Sequence, residues 1–476
     1  MADATPNLGE DSPSMPPPVE FDRRLIEGAI VPTLITFALP LVGTNLLHSI
    51  AGSYMAGWVG QIIGPNGLTA VVIVNVLVWM MLISAVMGVA SASSILIAQA
   101  YGAGRQDQLK TITGTSVAFV LVASIMMSLI GWFGSPLFVD LISTPEAARD
   151  LAITYLRSTA ISVLAVFPLV FITIMIRGVG DAKTPFRFTV LWIVLSMLFI
   201  PVVLLAPFGL PKLGIAGVAH CNTLSASIAL IALLIYLSRT RHVLMLIGTD
   251  RRHIIPDWKV MRLLLARGSP MGLEGVLISG VYLALLSMVN QYGAATSSAY
   301  GAATQLWGFV QMPIGALSAS VAAMASQNIG AGNWPRVREL ALKACLVGGA
   351  VTTLGVLLIY AFGEILLSIF LPDGGEALRV ALRINLLVLW SWIPLAITMV
   401  LFGIVRANGA MMPPTLIMVG TLWLIRIPFA DRMQPYLGSD AIWWSFPVGT
   451  MMCALLAFLY YRFGPWQKKS LMGDFS

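Results

Sequence analysis

Gln99-Ala100-Tyr101-Gly102-Ala103-Gly104 returns 228 residues later as Gln327-Asn328-Ile329-Gly330-Ala331-Gly332. Other pairs keep the same order at nearly the same spacing. Arg177 with Gly180 and Pro185 matches Arg406 with Gly409 and Pro414, Phe133-Gly134 matches Phe362-Gly363, Glu146 with Arg149 matches Glu376 with Arg379, and Pro40 matches Pro270. Five anchors in one order mark an internal duplication.

The composition sets the medium in which this duplication folds. Of 476 residues, 58% are hydrophobic and only 10% charged, far below the roughly 25% charge of a soluble chain. A spanning helix needs roughly 20 apolar residues. Twelve segments qualify, near 32–58, 68–99, 115–143, 151–176, 186–208, 214–237, 263–290, 297–326, 341–371, 379–405, 413–431 and 440–463. Arg426 and Asp431 interrupt the eleventh. Each repeat thus has six spans and begins on the same side of the membrane, so the repeats are parallel and related by an axis along the membrane normal. The expected fold is an all-α integral membrane protein, with 12 transmembrane helices in two parallel-repeat six-helix lobes around a central cleft.

The expected boundaries are a disordered cytosolic tail over 1–25, a first lobe over 26–237, a basic cytosolic linker over 238–262, a second lobe over 263–464 and a cytosolic tail over 465–476. Residues 1 to 22 carry acids, Pro16-Pro17-Pro18 and no Lys or Arg, unlike a signal peptide. Short cytoplasmic loops retain Lys and Arg. Most of the 28 bases, including Arg105, Lys110, Arg177, Arg251, Arg252 and Arg406, fall on one side if both termini are in the cytosol. The net charge of +7 therefore reads as a record of topology, with no nucleic-acid partner implied. No G-x-x-x-x-G-K-[ST] segment occurs, so transport by this chain would not draw on its own ATP hydrolysis. Cys221, Cys345 and Cys453 are odd in number and lie in apolar segments, which reads as packing.

Charges inside the hydrocarbon layer are costly, so an ionisable group there is a functional candidate by default. Sorting the 21 acids leaves Glu274, about 10 Å along the seventh span from Arg267. Its carboxylate can take up and release a proton, or serve as an oxygen ligand to sodium. The alternative is a structural glutamate bonded to a neighbouring group. Pro270, one turn earlier, suits a helix that bends. Asn45, His48 and Ser49 share one face of the first span with Gly52, and Thr304, Gln311, Gly308 and Gly315 share one face of the eighth, with Gln305 beside them. These residues either line the cleft or cement close helix packing. Trp443, Trp444 and Trp466, at span ends, read as interfacial anchors. No metal-ligating cluster and no cofactor is expected.

The motifs resemble those of the multidrug and toxic compound extrusion (MATE) family. The residues that carry the resemblance are Ala38-Leu39-Pro40-Leu41, Ile97 to Gly104, Arg177-Gly178-Val179-Gly180-Asp181, Ala325 to Gly332 and Arg406-Ala407-Asn408-Gly409. The resemblance implies a secondary active antiporter of the plasma membrane, the inner membrane in bacteria. It would export drug-like, cationic small organic substrates in exchange for H+ or Na+; the internal position of the cleft, for its part, reads as a monomer. Many members carry an aspartate in the first span, where Gly52 stands here, and another in the fifth, where this chain has Ser196 to Ile200-Pro201. Members with a seventh-span glutamate often place it near Ile278, one turn beyond Glu274.

Three other readings compete with the antiporter. A lipid-linked oligosaccharide flippase would need a cleft rich in Arg and Lys, yet Arg426 is the main basic residue expected inside a span. A membrane-embedded enzyme would need a catalytic constellation that four histidines and one buried acid do not supply. A pore would need a filter loop.

Overall fold

A bilayer interior offers no water to unpaired backbone groups, and the chain meets this condition with long helices. The computed structural model describes residues 23–78, 84–142, 144–205, 213–246, 253, 255–372 and 374–468. The first repeat comprises α1 (Arg24–Glu27), α2 (Ile30–Ile62), α3 (Pro65–Leu77), α4 (Ser84–Gly102), α5 (Gln106–Leu141), α6 (Glu146–Gly178), α7 (Lys183–Leu205) and α8 (Gly214–Arg239). The second comprises α9 (Trp258–Asn290), α10 (Ala294–Gly330), α11 (Trp334–Ser368), α12 (Gly375–Val388), α13 (Trp392–Ala407), α14 (Met412–Gly420), α15 (Ile427–Leu437) and α16 (Asp440–Phe463). Among the described residues eleven helical stretches are long and apolar enough to cross a membrane, and the shorter α3 and α4 take the place of the remaining span.

Two spans are less regular than the hydropathy pattern suggests. The tenth passes through a 3-10 turn at Leu389–Ser391 between α12 and α13. The eleventh contains a π-helical turn, Thr421–Arg426, between α14 and α15, and continues to Leu437 instead of stopping near 431. Pro40 and Pro270 sit inside α2 and α9, the first long helix of each repeat, and neither helix is broken.

Among the described residues each lobe has apolar clusters of its own, and the lobes meet at one end. Leu34, Phe37 and Leu41 of α2 join Leu317, Val321 and Met324 of α10 in one buried cluster, to which Leu25 and Trp466 also belong. This is the end that carries the linker, and we call it the linker end. Val243 and Leu244 of the linker pack into the first lobe's core, and Asp257 caps α9 by accepting from the amides of Lys259 and Val260.

The two expected tails and the tryptophans need correction. Residues 1–22 and 469–476 lie outside the described residues, but the expected tails also included 23–25 and 465–468, which are folded. Leu25 is buried and its carbonyl accepts from Asn328 Nδ2; the repeat counterpart of Asn328 is Ala100, which has no side-chain amide to make the equivalent bond. Trp466 and Trp443 are each 1% exposed, so they are core residues and not interfacial anchors; Trp444 does face outward. Trp466 donates to the carbonyl of Tyr461 and stacks on that ring. Position at a span end could not distinguish the two cases, because neighbouring helices cover one side of each end.

Candidate functional site

The duplicated sequence forms the seal between lobes. A Cβ on Gly102 would lie 2.0 Å from the carbonyl oxygen of Gln327, and a Cβ on Gly330 would lie 2.1 Å from that of Gln99. The two copies of the motif, at the ends of α4 and α10, therefore cross backbone to backbone about a pseudo-twofold axis, and glycine is required at both crossings. The glutamines complete the symmetry. Gln99 Nε2 donates to the Ala407 carbonyl at 2.5 Å, and Gln327 Nε2 donates to the Gly178 carbonyl at 2.8 Å. Each glutamine is buried and reaches across to the end of the other lobe's Arg-bearing helix. Gly180 and Gly409, with φ of 96° and 87°, turn the chain back just after those acceptors.

A second close approach lies deeper. A Cβ on Gly88 of α4 would lie 2.2 Å from the Gly268 carbonyl oxygen and 2.6 Å from the Gly272 nitrogen of α9. Glu274 is two residues beyond this contact. It is 8% exposed, and its Oε2 accepts from Arg406 Nη2 and from Thr415 Oγ1, both at 2.6 Å. Glu274 on α9 is thus tied to α13 and α14, and the Arg406 that holds it directly precedes Ala407, the acceptor of Gln99. Arg267 adds a bond from Nη1 to the Gly409 carbonyl at 3.0 Å. The carboxylate and the lobe seal share one short turn, 406–409.

Arg406 requires a correction to the charge sorting. Both Arg406 and its repeat partner Arg177 count as loop charges by position, yet Arg406 folds back onto Glu274 with its side chain 15% exposed, and Arg177 Nε is buried without a hydrogen-bond partner. A long side chain at a helix end can turn inward when an acid or a cavity awaits it, and linear sequence does not record that choice. Thr415 was missed for the same reason. The site is also unsymmetrical. The repeat counterpart of Glu274 is Thr44, which bonds only to the Pro40 carbonyl of its own helix, and Phe186 stands opposite Thr415.

Away from the seal, the helices diverge. Asn45, His48 and Ser49 on α2 are exposed, and the His48 ring meets Trp192 of α7 edge-on at 5.4 Å, whose Nε1 donates to Asn222 of α8. Gln305 and Gln311 on α10 are exposed, while Thr304 is half-buried with its hydroxyl bonded to the Gly301 carbonyl. Gly52 on α2 and Gly301, Gly308 and Gly315 on α10 meet nothing within 4 Å at a notional Cβ. Close packing therefore does not explain these glycines; they face open space. The structure brings Glu274 together with neither polar stripe. Replacing Gly315 by Leu is expected to leave thermal stability within about 0.5 kcal/mol, since nothing is displaced, while lowering substrate export several-fold. Thermal unfolding and vesicle uptake measured on the same preparation check this.

Two parallel helical repeats, sealed at one end by paired glycines and diverging at the other, define a two-lobed membrane transporter. The MatE family model matches residues 40–202 and again 270–430, once in each lobe, and the chain belongs to this family of transporters. It is 31% identical over 437 residues to a probable multidrug resistance protein, YoeA, of Bacillus subtilis, covering 91% of this chain and 94% of that one. It is 30% identical over 451 residues to YpnP of the same organism, also named a probable multidrug resistance protein, covering 94% and 98%. Among solved structures, a MATE transporter crystallised with MaL6 superposes with a TM-score of 0.85 at 18% identity, over 94% of this chain and 99% of that one.

Proposed function

We propose that this chain is a secondary active antiporter of the plasma membrane, the inner membrane in bacteria, with both termini in the cytosol. It exports drug-like, cationic organic compounds in exchange for H+ or Na+ by alternating access. The observation that carries the reading is the Glu274–Arg406 pair beside the Gln99–Ala407 bond. With Glu274 ionised, Arg406 is held and the turn that accepts from Gln99 is fixed. Neutralising the carboxylate weakens its bond to the guanidinium, frees that turn and loosens the seal. The cation that arrives at Glu274 thus favours opening of the linker end.

A proton suits this site better than sodium. Arg406 Nη2 already occupies Oε2 at 2.6 Å, and a sodium ion would have to sit beside the guanidinium charge or displace it. The polar, uncharged stripes of Asn45, His48, Ser49, Thr304, Gln305 and Gln311 suit amphipathic substrates. They offer no array of bases for a pyrophosphate headgroup, so the flippase reading is not favoured. The relatives' names support the substrate class, as does the family resemblance.

Purified protein in vesicles, given an imposed proton gradient or an imposed sodium gradient, decides the matter. Export of a cationic dye driven by the proton gradient alone is the expected result. Dye movement under neither gradient, or counterflow that follows lipid-linked sugar in place of dye, sinks the proposal.

A further inference from the structure

Arg426 lies in the half of the second lobe remote from the linker, and the mechanism above does not use it. Its residue is 6% exposed, and both Nε and Nη2 are buried without a hydrogen-bond partner. No carboxylate pairs with it among the described residues. Its guanidinium lies over the Phe446 ring, whose centroid is 3.3 Å from the guanidinium carbon. A cation–π contact recovers part of the cost of burying a charge, but leaves the guanidinium's donors unfilled.

The surroundings look built for this side chain. Arg426 ends the π-helical turn Thr421–Arg426, where the extra residue in the ladder rotates it inward; such turns recur at functional sites. Gly449 of α16 faces its stem, with a notional Cβ 3.2 Å from Arg426 Cβ, so a larger residue there would crowd it. Phe446 packs on Trp307 at 5.1 Å, and Trp307 on Trp392 at 6.2 Å and Tyr300 at 5.9 Å. Two of these rings, and an asparagine bonded to Trp307, carry polar atoms that are buried without a hydrogen-bond partner. Tyr300 Oη, Trp392 Nε1 and Asn385 Nδ2 are buried and unpartnered, while Asn385 Oδ1 is already taken by Trp307 Nε1. The cluster is therefore rich in hydrogen-bond donors, carries one positive charge and, among the described residues, holds no carboxylate to balance it. Buried donors in native proteins are almost always satisfied, so the cluster calls for an acceptor.

We propose that this cluster binds one small monovalent anionic group, a halide ion or a carboxylate, with Arg426 as the charge partner and Tyr300, Trp392 and Asn385 as donors. A free halide and the carboxylate of a larger compound share this chemistry, and the test separates them.

Full-length protein in nanodiscs, prepared in gluconate buffer, is titrated with iodide while tryptophan emission and melting temperature are followed. Contact of a heavy halide with the Trp307–Trp392 pair gives a saturable quenching component and a rise in melting temperature. Acetate competing for that component identifies a general anionic-group site; its failure to compete identifies a halide site. Both support the proposal. Arg426→Met is expected to abolish saturation and to be at least as stable as the wild type in gluconate, because it removes a buried charge. Should that variant fail to fold, Tyr300→Phe with Trp392→Phe keeps two aromatic rings and raises the half-saturating iodide concentration about tenfold. Quenching that is linear in iodide and equal in wild type and variants overturns the proposal.

Discussion

Protein carrying Glu274→Gln is expected to fold, insert and bind substrate, but no longer to couple a cation gradient to export. The side chain keeps its shape and one carbonyl oxygen, which in the place of Oε2 can still accept from both Arg406 Nη2 and Thr415 Oγ1, the two donors that already share that oxygen. What is lost is the charge-assisted bond, for which a stability loss of about 1–3 kcal/mol is expected. Glu274→Ala is harsher. It leaves Arg406, whose side chain is 15% exposed, without its counter-charge, and breaking a buried pair from one side costs about 3–5 kcal/mol. The Gln variant is therefore the informative one. A dye-export assay in vesicles, with melting temperature measured in parallel, should show gradient-driven export reduced to background while passive counterflow persists. Undiminished gradient-driven export by Glu274→Gln would remove this residue from the coupling step.

The physical reason lies in how few residues separate the carboxylate from the seal. Arg406 contacts Glu274, Ala407 accepts from Gln99, and Gly409 accepts from Arg267. Motion of the 406–409 turn must therefore be felt at the lobe contact. Its repeat counterpart has the same glutamine bond, Gln327 to Gly178, and the same arginine, Arg177, but Thr44 in place of the acid. Two latches close the linker end, and only one of them contains a carboxylate that can change charge.

Much of this was readable in the chain and some was not. Spans are legible because backbone satisfaction in lipid demands long apolar helices, and the repeat is legible because both copies kept glycines at the crossing. Glu274 stands out because so few acids lie within spans. Its partner does not. Arg406 and Arg177 sit at helix ends beside bases that face water, such as Lys183 and Arg187, and only tertiary contacts separate the inward arginine from the outward lysine. The glycines divide in the same hidden way. Gly88 and Gly102 touch backbone, whereas Gly308 and Gly315 face open space, although all four lie within long helices. A glycine at helical spacing records that a Cβ was avoided or was unnecessary, and the sequence cannot say which.

That division supplies the second large effect. Gly102→Ala and Gly330→Ala each place a methyl group at 2.0–2.1 Å from a carbonyl oxygen of the opposite lobe. The obstacle is backbone, not a rotatable side chain, so the clash cannot be relieved without separating the lobes. Overpacking costs about 1–3 kcal/mol per site. In the double variant this shifts the sealed-to-open equilibrium of the linker end by about 30-fold or more, at 1.4 kcal/mol per factor of ten. The core of each lobe is untouched, so the effect should fall on conformation and not on folding. Spin labels at positions 61 and 298, near the far ends of α2 and α10, are expected to move closer together as the linker end parts. Gly308→Ala serves as the control, because its methyl group meets nothing and should leave the distances unchanged. Distance distributions that coincide for the double variant, the control and the wild type would show that the crossing glycines do not hold the linker end closed.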